Sequence, residues 1–230
     1  YASVLFVWGE QYLPAENVTY GISASPVAQQ IGFQNGDKIV SVEGKQVKKF
    51  SEIPKTILLE KANTVTVERN GQIQQVSIPD SLFPKLLDNP QFISFRIPAV
   101  VGGFSEQSPA KKAGIEPGDR IVEVNGQDVR FMDQLRDVLA NQKGEEISVT
   151  VERDGSTQTF DLTTTSEGLM GFYVGNLNEY FQLEERRYSF AAAIPAGISK
   201  GVTTFKEYIQ QLGLIFTPET EAYKEVGGFI

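Results

Sequence analysis

The chain has 230 residues, of which 40% are hydrophobic and 22% charged, and its formal net charge is −8. It contains no His and no Cys, which excludes Ser-His-Asp and Cys-His nucleophile sites, disulfides and nearly all zinc-enzyme sites within this chain. A net negative chain also lacks the positive charge that attracts nucleic-acid phosphates. Composition therefore indicates a folded chain that binds other molecules rather than a catalyst, and no nucleic-acid partner.

Both ends of the chain are apolar. Tyr1–Trp8 carries no charge, but a bilayer span needs about 20 such residues. This run is either a buried first strand or the end of a membrane helix that starts before the chain. Residues 226–230 are also apolar, whereas natural C-termini are more often polar. We therefore expect an internal piece of a longer protein.

An internal repeat organises the middle of the chain. Residues 32–47 (GFQNGDKIVSVEGKQV) align with residues 114–129 (GIEPGDRIVEVNGQDV). Residues 64–71 (TVTVERNG) likewise align with residues 148–155 (SVTVERDG). Two copies of one unit therefore account for most of the length, and they are called the first and second repeats below.

Each repeat carries the same predicted elements. A helix that begins at Ser-Pro and ends at Gly is followed by an alternating strand, an amphipathic helix and a hairpin closed by Asn-Gly or Asp-Gly. In the first repeat these are residues 25–32, Ile39–Val42, a helix carrying Phe50, Ile53, Ile57 and Leu58, and the turn at 70–71. In the second repeat they are residues 108–114, Ile121–Val124, Met132–Ala140 and the turn at 154–155.

The second repeat, with Ser-Pro-Ala, Ala-Gly-Ile, Pro-Gly-Asp-Arg-Ile and Val-Asn-Gly in order, resembles a bacterial-type, circularly permuted PDZ domain. The first repeat departs from this pattern at Asn35, at Glu43 and by one extra residue in its first helix. The resemblance implies an α+β fold of two permuted PDZ domains. Each would be a small β-sandwich or partly open barrel with two helices, and a C-terminal strand and amphipathic helix would follow.

These elements predict five segments. An apolar lead-in covers residues 1–12, the first PDZ domain 13–80, and a linker with the carboxylate loop 81–91. The second PDZ domain covers 92–165, and the strand and amphipathic helix cover 166–230.

PDZ domains bind an extended peptide, often a C-terminus, between a sheet edge and a helix, and need no catalytic side chain. In the second repeat we predict the edge strand at Phe92, Ile93, Ser94 and Phe95, followed by a strand over 98–104, with residues 87–90 holding the carboxylate. The opposing helix would present Leu135 with Val138 or Leu139. Each of these side chains could equally be an ordinary core residue, and a binding edge in the first repeat is less clear.

After the second repeat, a turn over 163–168 and a strand over 169–174 precede a long helix, predicted over Ser189–Phe216. Pro195 and Gly213 mark limits or kinks in it. Its apolar residues recur every three or four positions, at Ile194, Ile198, Val202, Phe205, Ile209, Leu212 and Phe216. This helix either packs on the chain's own domains or, with Lys200 and Lys206 beside the apolar residues, lies at a membrane surface.

The PDZ pair between apolar ends, with Gly227-Gly-Phe-Ile230 at the end, resembles the RseP-type (regulator of sigma-E protease) branch of the site-2 intramembrane zinc metalloproteases. The resemblance implies a zinc enzyme in the bacterial inner membrane, with this region on its periplasmic side and without the zinc ligands or catalytic Glu. The implied partners are the parent's membrane domain and membrane-protein substrates such as anti-sigma factors or remnant signal peptides. The PDZ pair would screen substrates by binding or by bulk exclusion.

Two other functions remain open. PDZ domains also follow the catalytic unit of periplasmic serine proteases, although the apolar start and the long tail argue against that assignment. A third alternative is a non-enzymatic PDZ scaffold that holds partner proteins together.

Overall fold

A computed structural model gives the structure of the chain and describes residue 6, residues 9–198 and residues 201–202. The chain forms two compact bodies. The main body is Leu13–Gln182, and the terminal body contains the described residues of 1–12 and 183–230. Each body has its own pairing and is described separately.

The described strands are β1 (Glu10–Tyr12), β2 (Ile22–Ala24), β3 (Lys38–Val42), β4 (Thr64–Arg69), β5 (Gln72–Ser77), β6 (Ile93–Phe95), β7 (Gly103–Phe104), β8 (Arg120–Val124), β9 (Gln127–Asp128), β10 (Glu146–Arg153), β11 (Ser156–Thr163), β12 (Phe172–Tyr173) and β13 (Glu184–Arg186). The α-helices are α1 (Pro26–Ile31), α2 (Ile53–Leu59), α3 (Phe83–Asp88), α4 (Pro109–Ala113) and α5 (Met132–Leu139). Short 3₁₀ turns lie at Ala15–Asn17, Phe50–Glu52, Asp80–Leu82 and Leu177–Glu179.

The terminal body joins two distant parts of the chain. β1 pairs antiparallel with β13, and residues 190–198 and 201–202 are helical. This helix continues through Pro195, where the sequence predicted a limit or a kink. The rest of the long helix predicted up to Phe216, the apolar run of Tyr1–Trp8 apart from residue 6, and the final residues 227–230 lie outside the described residues.

The first repeat occupies residues 13–96 of the main body. β3, β4 and β5 form an antiparallel sheet, and β2 pairs separately with β6. One core joins these strands to the helices, with Ile22, Ile57, Val65 and Leu86 fully buried. The apolar residues at alternating strand positions and on one face of α2 therefore meet in one cluster, as their spacing predicts.

The second repeat occupies residues 97–182 and repeats this plan. β11, β10, β8 and β9 form one sheet, and β7 pairs with β12. Ile121, Leu135 and Val149 lie at the centre of a separate core. The predicted α+β fold with two PDZ-like units is confirmed, and its sheets are open rather than closed into a barrel.

Local hydrogen bonds confirm that the two repeats are copies of one design. The hydroxyls of Ser25 and Ser108 cap α1 and α4, each accepting a hydrogen bond from the backbone N–H three residues later. Gly32 and Gly114, both in the left-handed conformation, end these helices. The hairpin residues Asn70 and Asp154 have φ of 52° and 50°, each followed by a glycine with positive φ, as a type I′ turn requires. The turn chemistry read from the sequence is therefore correct in both copies.

The predicted boundary between the repeats is wrong. The segment 81–91, expected to be a linker, contains α3, whose Phe83 and Leu86 are buried in the first core. Phe92–Phe95 follows it and pairs with β2 of the first repeat, not with the second repeat. Asn-Pro at 89–90 has the composition of a linker, but the apolar residues on both sides of it are needed to close the first core.

The strand predicted at 169–174 was also assigned to the wrong segment. Met170 is buried in the second core, and the structure has the shorter strand β12, which pairs with β7. The strand expected over 98–104 is likewise reduced to β7, preceded by isolated bridges at Pro98 and Val100. Each repeat therefore ends, rather than begins, with its edge strand.

One buried ion pair fixes the turn in each repeat. In the second repeat, Arg153 Nε and Nη2 donate to the two carboxylate oxygens of Asp119 at 2.7 and 2.6 Å, and Nη2 also donates to the Gly114 carbonyl at 3.0 Å. Asp119 Oδ2 accepts from the Glu116 N–H at 2.8 Å. Arg153, on the hairpin, therefore joins the end of α4 to the turn before β8.

The first repeat has the same arrangement. Arg69 donates to both oxygens of Asp37 at 2.7 Å and to the Gly32 carbonyl at 2.8 Å, and Asp37 accepts from the Gln34 N–H at 2.8 Å. Asp37 and Asp119 are each 1% exposed. Bidentate pairing to a buried carboxylate satisfies charges that would otherwise be costly to bury.

We expect Asp119→Asn to lower the free energy of unfolding by about 1.5–3 kcal/mol, because it removes the charged acceptor of two Arg153 hydrogen bonds and leaves that guanidinium only the Glu116 carboxylate, 3.2 Å away, as a counter-charge. Urea unfolding followed by circular dichroism measures the loss. Asp128→Asn, at an exposed aspartate on β9, is the matched control and should change stability by less than about 0.5 kcal/mol. Equal effects of the two substitutions would contradict a structural role for the pair.

The same pair predicts a pH dependence. Burial raises the pKa of Asp119, but hydrogen bonds from Arg153 and from the Glu116 N–H outweigh burial, and the net pKa is lowered. The pair therefore contributes fully above the unfolded-state pKa of about 3.9, and its contribution is lost as pH falls through the lower folded-state pKa. The stability difference between wild type and Asp119→Asn should be constant from pH 7 to 5 and shrink below pH of about 3.9. A difference that grows in acid would refute the assignment.

Candidate functional site

The open edge of β12 is the first element of the candidate site. The carbonyls of Gly171 and Tyr173 accept hydrogen bonds from the N–H groups of Ser105 at 3.0 Å and Gly102 at 2.8 Å. In an antiparallel ladder, alternate residues direct their backbone polar groups to opposite sides. The N–H and C=O of Phe172 therefore point away from β7, and no described strand pairs with β12 on that side.

The loop before β12 is the second element. Met170 is 2% exposed, and its carbonyl accepts from the Ala110 N–H at 3.0 Å and the Ser108 hydroxyl at 3.1 Å. Within the described residues, the amide N–H groups of Met170 and Gly171 donate no hydrogen bond. Successive backbone N–H groups beside a left-handed residue suit an anion, and Gly171 has φ of 79°.

Helix α5 lies at the other side of the loop. A Cβ placed on Gly168 would lie 3.1 Å from the Leu139 carbonyl, so the loop abuts the C-terminal end of α5. The Thr165 hydroxyl accepts from the Leu169 N–H at 3.0 Å, and the Thr164 hydroxyl donates to the Gln142 carbonyl. These bonds hold the loop against the chain that follows α5.

The structure separates the predicted site residues into two groups. Phe92 and Ile93 are buried in the first core, while Ser94 is exposed and Phe95 half-buried on β6 of the same repeat. Their placement on the second repeat's edge is therefore wrong. The prediction placed the edge strand of the second repeat directly before its neighbouring strand in sequence, as in a hairpin. In the structure, the strand at the C-terminal end of each repeat pairs with the strand at its N-terminal end.

The three predicted helix residues do lie in the second repeat. Leu135 and Leu139 are buried in its core, and Val138 is half-buried against it. The residues that sequence reasoning missed are Met170, Gly171 and Phe172. Their signal was present in Leu169-Met-Gly-Phe172, a glycine between apolar residues directly after a turn.

The corresponding edge of the first repeat is more crowded. The Ser25 N–H donates to the Phe92 carbonyl at 2.9 Å, as the Ser105 N–H donates to the Gly171 carbonyl in the second repeat. A fully buried phenylalanine therefore takes the position that Gly171 has in the second repeat. The Phe95 ring packs edge-on against Phe50 of the turn before α2 and against Phe181, with centroids 5.6 and 5.3 Å apart. Aromatic side chains thus pack beside β6 in the first repeat.

Comparison with known proteins agrees with this architecture. The family described as "PDZ domain" matches residues 100–153. A "putative zinc metalloprotease" of Neisseria meningitidis is 32% identical over 151 residues, covering 61% of this chain and 34% of that protein. One of the same description from Treponema pallidum is 27% identical over 201 residues, covering 86% and 44%. The zinc metalloprotease RasP of Geobacillus kaustophilus is 22% identical over 118 residues, covering 51% and 27%.

The chain is related in sequence to these zinc metalloproteases, and its residues 100–153 match the PDZ domain family. The resemblance to the RseP-type branch is thereby confirmed. The PDZ region spans less than half the length of each of these relatives. Among residues 6, 9–198 and 201–202, no helix has both the length and the apolar character needed to cross a membrane.

The described part of the chain offers no ligand set for the zinc of the related proteases. The sequence contains neither His nor Cys, and the described part of the chain contains no group of three or more acidic side chains that could hold a metal ion. The residues present therefore do not fit a zinc centre, and no catalytic step is assigned to them.

Two glycine substitutions test the loop geometry. Gly171 and Gly155 have nearly equal φ values of 79° and 76°, but a Cβ on Gly171 would lie 2.7 Å from the Ser108 Cα, whereas a Cβ on Gly155 meets nothing within 4 Å. Gly155→Ala should cost about 1 kcal/mol for its left-handed backbone. Gly171→Ala should cost about 1–3 kcal/mol more because of the contact. Urea unfolding of both variants measures the difference, and equal losses would exclude the close approach.

Proposed function

We propose that this chain is the substrate-screening PDZ region of a membrane zinc metalloprotease, and that its second repeat binds the free C-terminus of a polypeptide. The observation that carries the proposal is the open backbone edge at Phe172, adjacent to the Met170 and Gly171 amides. An added strand can pair with that edge, and the two amides can hold a terminal carboxylate.

The side of the groove formed by α5 supports a preference for an apolar last residue. Leu135 and Leu139 give α5 an apolar inner face, and half-buried Val138 retains exposed surface near the loop. Backbone pairing is indifferent to sequence, so affinity would come from the main chain and the carboxylate. Selectivity would come from the apolar contacts.

The wider assignment rests on the relatives. Their names describe zinc metalloproteases, and we place the zinc in parts of the longer protein outside this chain, in a bacterial inner membrane. This region would lie on the periplasmic side and meet substrates such as anti-sigma factors or remnant signal peptides. A first cleavage of such a substrate creates a free C-terminus, which is the ligand the second groove suits.

Peptide titration tests the binding step. We expect a fluorescein-labelled ten-residue peptide with a free C-terminal valine to bind, and the same peptide with a C-terminal amide to bind about 10- to 100-fold more weakly. This ratio corresponds to the loss of charge-assisted hydrogen bonds of about 1.5–3 kcal/mol. Fluorescence anisotropy measures both constants, and equal affinities would overturn the proposal.

A pair of matched variants locates the groove. Val138→Glu places a second negative charge beside the bound carboxylate and should weaken binding at least about tenfold, since like charges in a partly buried site repel. Thr56→Glu, at the half-buried counterpart on α2 of the first repeat, should leave binding unchanged. If Thr56→Glu is the more damaging variant, the groove lies in the first repeat.

A further inference from the structure

The two repeats meet at the N-terminal end of α5. Arg96, at the end of the first repeat, pairs with Asp133 in the first turn of α5, with Nε–Oδ1 and Nη2–Oδ2 distances of 3.1 and 2.9 Å. The two side chains are only 11% and 10% exposed. The Arg96 guanidinium also lies 3.9 Å above the ring of Phe131, the N-cap residue of α5. The first repeat thus fixes the start of the helix that borders the second groove.

Aromatic side chains from three segments extend this junction. Tyr20 of the first repeat lies 5.6 Å from Phe131 and 5.8 Å from Phe181, measured between ring centroids. Phe181 belongs to the chain that leaves β12. Beside them lies a half-open cleft of about 390 Å³, lined by residues 16–17, 19–20 and 178–182. Tyr20 is 36% exposed, so part of this aromatic surface is accessible.

The second groove leads towards the junction. The loop before β12 abuts the C-terminal end of α5 at Leu139, and the chain after β12 reaches Phe181, which contacts Tyr20 near Phe131. We consider a peptide paired antiparallel to β12, with its carboxylate at Met170 and Gly171. Its C-terminus would lie near the C-terminal end of α5, and its preceding residues would extend towards the N-terminal end of α5. The eight residues of α5 span about 12 Å, which an extended peptide covers in about four residues.

We infer that the first repeat supplies a subsite for the second groove, formed by Tyr20, Phe131 and Phe181, which accepts an apolar side chain about three to five residues before a substrate's C-terminus. The inference rests on the proposed function. The subsite favours an apolar group because its walls are aromatic and because Asp133 already compensates the Arg96 charge. The tandem would therefore recognise a short segment rather than the last residue alone.

Peptides with a movable leucine test this subsite on the whole chain. The baseline probe is a fluorescein-labelled ten-residue peptide of glycine and serine that ends in a free valine. Three further probes carry one leucine at the third, fourth or fifth residue before the valine. We expect at least one of these probes to bind about tenfold more tightly than the baseline, since burying one leucine is worth about 1.5 kcal/mol.

Variants assign that gain to Tyr20. Tyr20→Ala should reduce the leucine gain to less than about twofold, and Tyr20→Phe, which keeps the aromatic wall, should preserve it. Ile73→Ala, at a 64% exposed residue on β5, is the control and should leave the gain unchanged. Thermal unfolding of each variant verifies that the main body is folded.

The outcomes separate the two levels of the hypothesis. If no peptide with a free C-terminus binds, the proposed function fails and the subsite with it. If peptides bind but no leucine position gives a gain, or the gain persists in folded Tyr20→Ala, the subsite alone is overturned. A gain that Tyr20→Ala removes and Tyr20→Phe restores supports the subsite.

Discussion

The buried aspartate–arginine pair is the constraint on which each repeat depends. The arginine belongs to the closing hairpin. Its guanidinium donates hydrogen bonds to the end of the first helix and to the turn before the central strand, so one side chain joins three segments. The backbone carbonyls of the same aspartates accept hydrogen bonds at 2.8 Å from Ile22 of β2 and from Val101, two residues before β7. Without the arginine, these segments would have to be held by small contacts between short elements, and a carboxylate would be buried without its counter-charge.

This constraint also explains why the sequence could identify the repeats so readily. Glycine, aspartate and the hairpin arginine recur at nearly the same spacing because the ion pair requires all three. The type I′ turn immediately after the arginine fixes the backbone position from which the arginine side chain extends. Helices, hairpins and cores follow from local periodicity and turn chemistry. They were therefore predictable over most of the main body, although the aspartate–arginine pairing itself was not recognised in the sequence.

The edge strands were not predictable in the same way. β6 and β12 are short, three and two residues long, and neither carries an alternating pattern that identifies its partner. Both pair across the whole length of their repeat, so local sequence cannot distinguish Phe92–Phe95 as the end of one unit from the start of the next. What does distinguish them is the packing of distant residues: Phe92 is buried in the first core, whereas the second core contains Met170, which directly precedes its edge strand region.

That substitution accounts for the difference between the repeats. Phe92, at the position of Gly171, joins the first repeat's edge to its own core, and the rings of Phe50, Phe95 and Phe181 pack beside it. The second repeat has Gly171 in that position, with a left-handed backbone packed so closely against Ser108 that a Cβ would lie 2.7 Å from the Ser108 Cα. The second repeat thus keeps a strand edge that no described strand pairs with, while Arg96, directly after the first repeat's edge strand, contacts Asp133 at the start of α5. The two repeats therefore share one fold but differ at the edge strand, where the first is packed with aromatic side chains and the second has an unpaired side among the described strands.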